Sequence, residues 1–250
     1  MARIANLMCI MVLLCAAGAE RSEAGQTVLF DTGHGERFLT GEKGALQLSG
    51  LAEILQAAGV QVASLAKPIS DATLAEANGL VISGAFAPLD PGEIEALLRF
   101  MQRGGRLAVM LHIAPPLGPL LDRLGIAYSN GVIQERENVI GAEPLNFRVN
   151  RLGSHPVFSG ITEFSLYGAW GLISRDGGAR MVASTSPLAW IDLRGDKIRR
   201  EETTASFGVA GAGEFGNGGF LVFGDDAIFQ NRFLDANNRL LAVNLAGWLK

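Results

Sequence analysis

Short, unbroken apolar runs separated by stretches of helical periodicity fill residues 27–111, and this alternation restricts the first half of the chain more than any other feature. Thr27-Val28-Leu29-Phe30, Leu80-Val81-Ile82 and the run from Arg106 to Leu111 read as strands, with 60–65 as a further one. A helix is expected over about 45–58, because Leu48, Leu51, Ile54 and Leu55 recur at helical spacing and Gly59 can close it. A short helical stretch is expected near 71–77. Asp90-Pro91 opens another helix, with Asp90 as N-cap; Ile94, Leu97, Leu98 and Met101 form its buried stripe and Gly104-Gly105 stops it. Strands apolar on both faces need cover on both faces, which parallel strands between helices receive. The expectation is an α/β, doubly wound, mostly parallel sheet.

The second half reads differently. Strands are expected at 146–149, 164–167, 181–184, 189–193, 206–210 and 220–223, with few helices between them. The charged stretch 194–202 reads as a hairpin tip. Asn217-Gly218 is a turn signal. A closing helix over about 237–249 carries Leu240, Leu241, Val243, Leu245 and Trp248. With 250 residues, 48% of them hydrophobic, the chain can bury a sizeable core. One domain over 25–250 with a β-rich C-terminal extension is the simplest account.

Residues 1–24 read as a secretory signal peptide. Arg3 supplies a positive start, residues 7–17 form an unbroken apolar run, and Ser22-Glu23-Ala24 offers a cleavage site before Gly25. The run falls short of the ~20 apolar residues that span a bilayer, so a retained membrane anchor or lipid anchor is the lesser expectation. Both cysteines, Cys9 and Cys15, lie in this leader. The mature chain would then hold no disulfide, thiolate metal ligand or cysteine nucleophile, which suits a periplasmic or secreted location. Net charge is -4 and no basic run stands out, so nucleic acid is excluded as a partner.

Ligands of open α/β sheets bind beyond the carboxyl ends of the strands. Those ends carry Asp31 and His34, then His112, then Asp225 and Asp226 with Asn231 shortly after. If the strands are neighbours, these six residues form one rim suited to a polar ligand or a divalent metal. The plainer alternative is loop-ordering, in which the Asp side chains accept nearby backbone amides, and it is favoured because such Asx turns are common. No cofactor is required by any motif. The glycine-rich run 208–219 lacks the order of a phosphate loop, and Gly33-x-Gly35 lacks the third glycine of a dinucleotide fingerprint. After the fourth strand the chain reads His112-Ile113-Ala114-Pro115-Pro116, without the serine of a nucleophile elbow. Ser154-His155-Pro156 reads as a turn.

The order of these features resembles a family. Phe30-Asp31-x-x-His34-Gly35, Leu80-Val81-Ile82, the 93–105 helix with its Gly-Gly stop, and Gly219-Phe220-x-Val222-Phe223-Gly224-Asp225 before Asn231 are similar to non-catalytic class I glutamine-amidotransferase-like domains. Such domains occur in gliding-motility-type transport accessory proteins, in an intraflagellar-transport subunit and in an uncharacterised bacterial family. Ser154-His155-Pro156-Val157-x-x-Gly160-Ile161 is similar to a segment of amidotransferase-like proteins linked to sugar utilisation. The resemblance covers most of residues 25–250, least over 128–202. It implies a flavodoxin-like core and a binding or scaffold role. Active amidotransferases place a cysteine at the elbow, where this chain has His112, so glutamine hydrolysis is not implied. The function expected is an exported, non-catalytic binding or assembly module, an accessory to an envelope or membrane protein complex. The alternatives are a metal-dependent hydrolase using Asp31, His34, His112 and Asp225, and a periplasmic small-molecule or glycan-binding protein.

Overall fold

A computed structural model describes residues 25–175 and 177–250. The expected leader lies outside them. In chain order the elements are β1 (Thr27–Asp31), α1 (Ser49–Ala57), β2 (Gln61–Leu65), β3 (Gly79–Ser83), α2 (Pro91–Gln102), β4 (Arg106–Met110) and α3 (Gly118–Arg123). Then follow β5 (Ile126–Gln134), β6 (Val139–Ile140), β7 (Glu143–Val149), β8 (Arg151–Leu152), β9 (Phe164–Tyr167), β10 (Trp170–Ser174), β11 (Arg180–Ser184) and β12 (Trp190–Ile191). The chain closes with β13 (Gly208–Phe215), β14 (Gly218–Phe223) and α4 (Ala236–Trp248).

One large sheet runs in the order β12-β5-β10-β13-β14-β4-β3-β1-β2, with β11 and β8 joined beside β13; β6, β7 and β9 form a second, three-stranded sheet. The pairs β2-β1, β1-β3, β3-β4 and β4-β14 are parallel. Every other pair in the large sheet is antiparallel. The expectation of a mostly parallel sheet therefore holds only for five strands. The β-rich part is also not a C-terminal extension. It is inserted between β4 and β14, and the chain returns to the parallel half at its end. Strand β13 is buried over Gly208–Ala212 yet antiparallel to each of its partners, so unbroken burial did not separate the two arrangements there.

Alternate residues of the parallel strands feed two cores. Val81, Ala108, Met110, Leu221 and Phe223 meet Leu51 and Leu55 of α1 and Leu241 and Leu245 of α4. Leu80, Ile82, Leu107, Val109 and Val222 meet Leu97 and Met101 of α2 and Leu120 of α3. Burial of each of the Val, Leu, Ile, Phe and Met side chains among them stabilises the fold by about 1.5–3 kcal/mol. Helices thus cover both faces of the parallel half.

Two local departures have visible causes. Residues 71–77 form turns rather than a helix, because Ser70 and Thr73 divert the backbone: Ser70 N–H donates to Thr73 Oγ1 at 2.8 Å. Helix α1 starts at Ser49, not near 45, and is held at that point from far away. The Gly50 N–H donates to Asn231 Oδ1 at 2.7 Å. Asn217-Gly218 does mark the β13–β14 turn, one residue out of register, since Phe215 pairs with Gly218. Gly218 is bare because a Cβ there would lie 2.1 Å from the Gly105 carbonyl.

Candidate functional site

The strand order β14-β4-β3-β1 sets four carboxyl ends side by side. At a spacing of ~4.8 Å per strand, the ends of β1 and β14 are roughly 14 Å apart. The expected rim residues therefore share one edge but divide into two clusters.

The first cluster surrounds His34. Asp31 ends β1 and is 3% exposed; its Oδ1 accepts the Gly33 N–H at 3.1 Å. This is the loop-ordering turn expected of it. Its Oδ2 lies 2.7 Å from His34 Nδ1, while His34 Nε2 lies 3.0 Å from Glu93 Oε2. Glu93 comes from the first turn of α2, where it also accepts the Asp90 and Ile69 amides, each at 2.8 Å. Burial pushes the Glu93 carboxyl up, but those amides and the imidazole outweigh it and leave it below the usual range. With a carboxylate on each nitrogen, both ring nitrogens are donors. The bond to Asp31, opposed by burial and aided by Glu93, raises His34 to about 9. Glu36 accepts the His34 N–H at 2.8 Å through Oε2, while its Oε1 is buried without a partner. Burial and the Asp31 charge raise Glu36 to about 7. A cleft of about 330 Å³ opens beside this cluster, with His34, Glu93 and Pro88 in its wall.

The second cluster lies past β4 and β14. His112 Nδ1 donates to Asp226 Oδ1 at 3.1 Å, and the His112 side chain is 39% exposed. The Asp226 bond, against burial and then with the Asp226 and Asp225 charges, raises the imidazole pKa; the charge of Arg37 opposes the rise. Phe38 and Phe86 flank the ring at centroid distances of 5.4 and 5.1 Å. The Arg37 guanidinium lies 4.6 Å from the Phe86 centroid, and the Trp170 indole donates to the His112 carbonyl at 3.0 Å. Phe86 also ties the clusters together, because its N–H donates to the His34 carbonyl at 2.9 Å.

Asp225 and Asn231 have structural partners. Asp225 is 2% exposed and accepts the Tyr167 N–H at 2.6 Å and the Ala227 N–H at 2.9 Å. Burial first, then the Asp226 charge, raise it to about 7. Asn231 caps α1 and donates to the Gly44 carbonyl and Ser49 Oγ. Among the described residues, one group of three could gather around an ion: Asp31, His34 and Glu36, with ligand atoms within 4.8 Å of one another. His112 and Asp225 are not in it, so the four-residue set expected for a metal does not assemble. Glu36, Glu93, Arg37 and the two phenylalanines were not anticipated. Only Glu93 left a trace, three residues after the Asp90 N-cap.

The family model described as "Domain of unknown function (DUF4350)" matches residues 41–246. The chain belongs to the DUF4350 family. No curated protein matches it by sequence. Among solved structures, this DUF4350 chain is similar to the mmIFT52 N-terminal domain, with a TM-score of 0.71, 19% identity and coverage of 89% of this chain and 96% of that one. It is similar to a ThuA-like protein from Bacteroides uniformis ATCC 8492, with a TM-score of 0.55, 14% identity and 94% of each chain covered. It is also similar to the cytoplasmic protein STM1381 from Salmonella typhimurium LT2, with a TM-score of 0.59, 14% identity and coverage of 90% and 100%. ThuA-like proteins have a glutamine-amidotransferase-like fold, so the resemblance drawn from sequence holds at the level of fold.

In the DUF4350 chain the position after β4 holds His112, and no cysteine occurs among residues 25–250. Asp226 fixes the imidazole orientation and tautomer, which leaves Nε2 for a ligand. This geometry supplies a hydrogen-bonding, partly aromatic contact point at the end of β4.

Proposed function

We propose that this DUF4350 chain is an exported, non-catalytic binding or assembly module that engages its ligand or partner at the carboxyl rim around His112. One observation carries the reading. At the position where a catalytic relative would present a thiol, an imidazole is locked to Asp226 and flanked by Phe38 and Phe86. The parallel order β2-β1-β3-β4-β14, with helices on both faces, agrees with a flavodoxin-like, amidotransferase-like core. Export rests on the pattern of residues 1–24, and the partner is then a component of an envelope or membrane complex, or a small molecule or glycan. Among the described residues no helix is long and apolar enough to cross a membrane.

The test joins three measurements. The N-terminus of protein recovered from its native host should begin at Gly25. The protein should not turn over glutamine, simple esters or phosphate esters. Partner co-purification from native envelopes, or a thermal shift with a sugar or amino-acid panel, should be lost in His112→Ala and kept in a distant surface variant. Turnover that disappears in His112→Ala would replace this reading with an enzymatic one.

A divalent cation at Asp31, His34 and Glu36 is the second reading, favoured by the unpartnered, buried Glu36 Oε1. The ion would have to displace the proton that holds His34 between two carboxylates. Elemental analysis of purified protein tests it. Absence of a stoichiometric metal, with melting unchanged by zinc, manganese or calcium, rules it out.

A further inference from the structure

A second cleft lies at β12, the opposite end of the large sheet from β1 and β2. It is a groove of about 700 Å³ where the terminal strand β12 meets the small sheet, between Trp190 on one side and Val139 and Pro144 on the other. The hairpin that follows β12 overhangs it with Lys197, Ile198 and Arg199. Ile198 is 56% exposed, and Leu193 on the same hairpin is 54% exposed. Of the two, Ile198 lines the groove together with Val139, Pro144 and Trp190.

Charge sorts the groove further. Arg194 and Arg200 of the hairpin are paired with Glu202 and Asp196. Arg136, Lys197 and Arg199 enter no ion pair among the described residues, and all three line the groove. Two acids of the hairpin, Asp192 and Asp196, shape the loop itself. Asp192 accepts the Gly195 and Lys197 amides, each at 2.8 Å, and Asp196 accepts the Ile198 amide at 3.0 Å. The one carboxylate in the lining, Glu135, is 3% exposed and binds Ser186 through both oxygens. A chain of net charge -4 thus presents three unpaired cations around an apolar floor.

We propose that this groove docks an acidic, extended segment of a partner protein, with one or two aliphatic or aromatic side chains set against Ile198 and Val139. Carboxylates of that segment would meet Arg136, Lys197 and Arg199. The proposal is independent of the His112 rim.

A displayed library of random ten-residue peptides, selected on the purified full chain, tests it. Enriched peptides should combine Asp or Glu with Leu, Ile or Phe. A synthetic winner should bind about tenfold more weakly to Lys197→Glu/Arg199→Glu, and more weakly as salt rises. It should bind more weakly to Ile198→Ser with an unchanged salt dependence, and His112→Ala should not alter it. Circular dichroism and melting of each variant would show that the fold is kept. No enrichment, enrichment without acidic residues, or equal binding to the charge-reversed variant would overturn the proposal. So would concentration-dependent self-association that the reversal abolishes, since the occupant would then be a second copy of this chain.

Discussion

His112 Nδ1 and Asp226 Oδ1 lie 3.1 Å apart, and this contact joins the end of β4 to the segment after β14 across the rim. It also sets the charge of the exposed imidazole. The hydrogen bond to a buried carboxylate favours the protonated ring, so the His112 pKa lies above the ordinary 6.5. Asp225 and Asp226 push in that direction, and Arg37 pushes against it. An NMR titration of the three histidines should find His112 above 6.5 in the wild type and lower in Asp226→Asn, whose amide carries no charge. Arg37→Gln should move it up. An unchanged His112 titration in Asp226→Asn would mean that the contact does not form in solution.

His34 should give the fold a distinct alkaline sensitivity. Its folded pKa of about 9 exceeds the unfolded value of 6.5. The stabilisation it supplies is therefore complete below pH 6.5 and is lost as pH rises through 9. The shift corresponds to about 1–3 kcal/mol once solvent screening is allowed for. Lysines and tyrosines titrate in the same range, so the useful quantity is the difference between wild type and His34→Gln at each pH. Urea unfolding should show a gap of that size at pH 6 that shrinks toward zero by pH 10. A gap that stays constant with pH would refute the double carboxylate tie.

The parallel half was legible because its signals are local. Unbroken apolar runs, helical spacing in 48–55 and 94–101, and the Asp90-Pro91 opening each report on their own segment, and β1, β3, β4 and α2 form there. Strand β5 was missed because its burial is irregular, with Ser129 buried and Asn130 exposed. Strand β10 was missed for a similar reason, since Ile173 is 53% exposed inside it. Of the six rim residues expected, His112 and Asp226 meet, as do Asp31 and His34. Asp31 and His34 are neighbours on one loop, whereas the His112–Asp226 pair forms because β14 lies beside β4. Glu36, Glu93 and the phenylalanine pair depend on how the loops fold back over the edge, and no periodic pattern encodes that.

Asn231 lies on the rim side of the sheet, but its bonds assign it to helix α1. Its Oδ1 takes the Gly50 N–H, and its amide nitrogen reaches the Gly44 carbonyl and Ser49 Oγ. Asn231→Ala should therefore cost about 1–2 kcal/mol, comparable to loss of a helix cap, with the first turn of α1 more open. Hydrogen exchange at Gly50 and neighbouring amides should accelerate, while the His112 titration stays as in wild type. A shifted His112 titration with normal exchange in α1 would instead return Asn231 to the ligand-binding group.

Gly84 links backbone strain to the rim. It has φ +70, and a Cβ there would sit 2.6 Å from Asp226 Oδ2. That oxygen is buried without a hydrogen-bond partner. An alanine must adopt a left-handed backbone at about 1–2 kcal/mol, and it must also displace a carboxylate that is 2% exposed, which adds about 1–3 kcal/mol of overpacking. Movement of Asp226 would loosen its bond to His112, the main cause of the raised imidazole pKa. Gly84→Ala should thus lower the urea midpoint and bring the His112 pKa back toward 6.5, whereas Asp226→Asn should reproduce the second effect without the backbone strain. Combined with Asp226→Ala, which removes the obstructing oxygen, Gly84→Ala should recover part of its lost stability, because only the backbone strain then remains. If the double variant lost as much as the two single changes added together, Gly84 and Asp226 would not be in contact, and the small residue at the end of β3 would need a different cause.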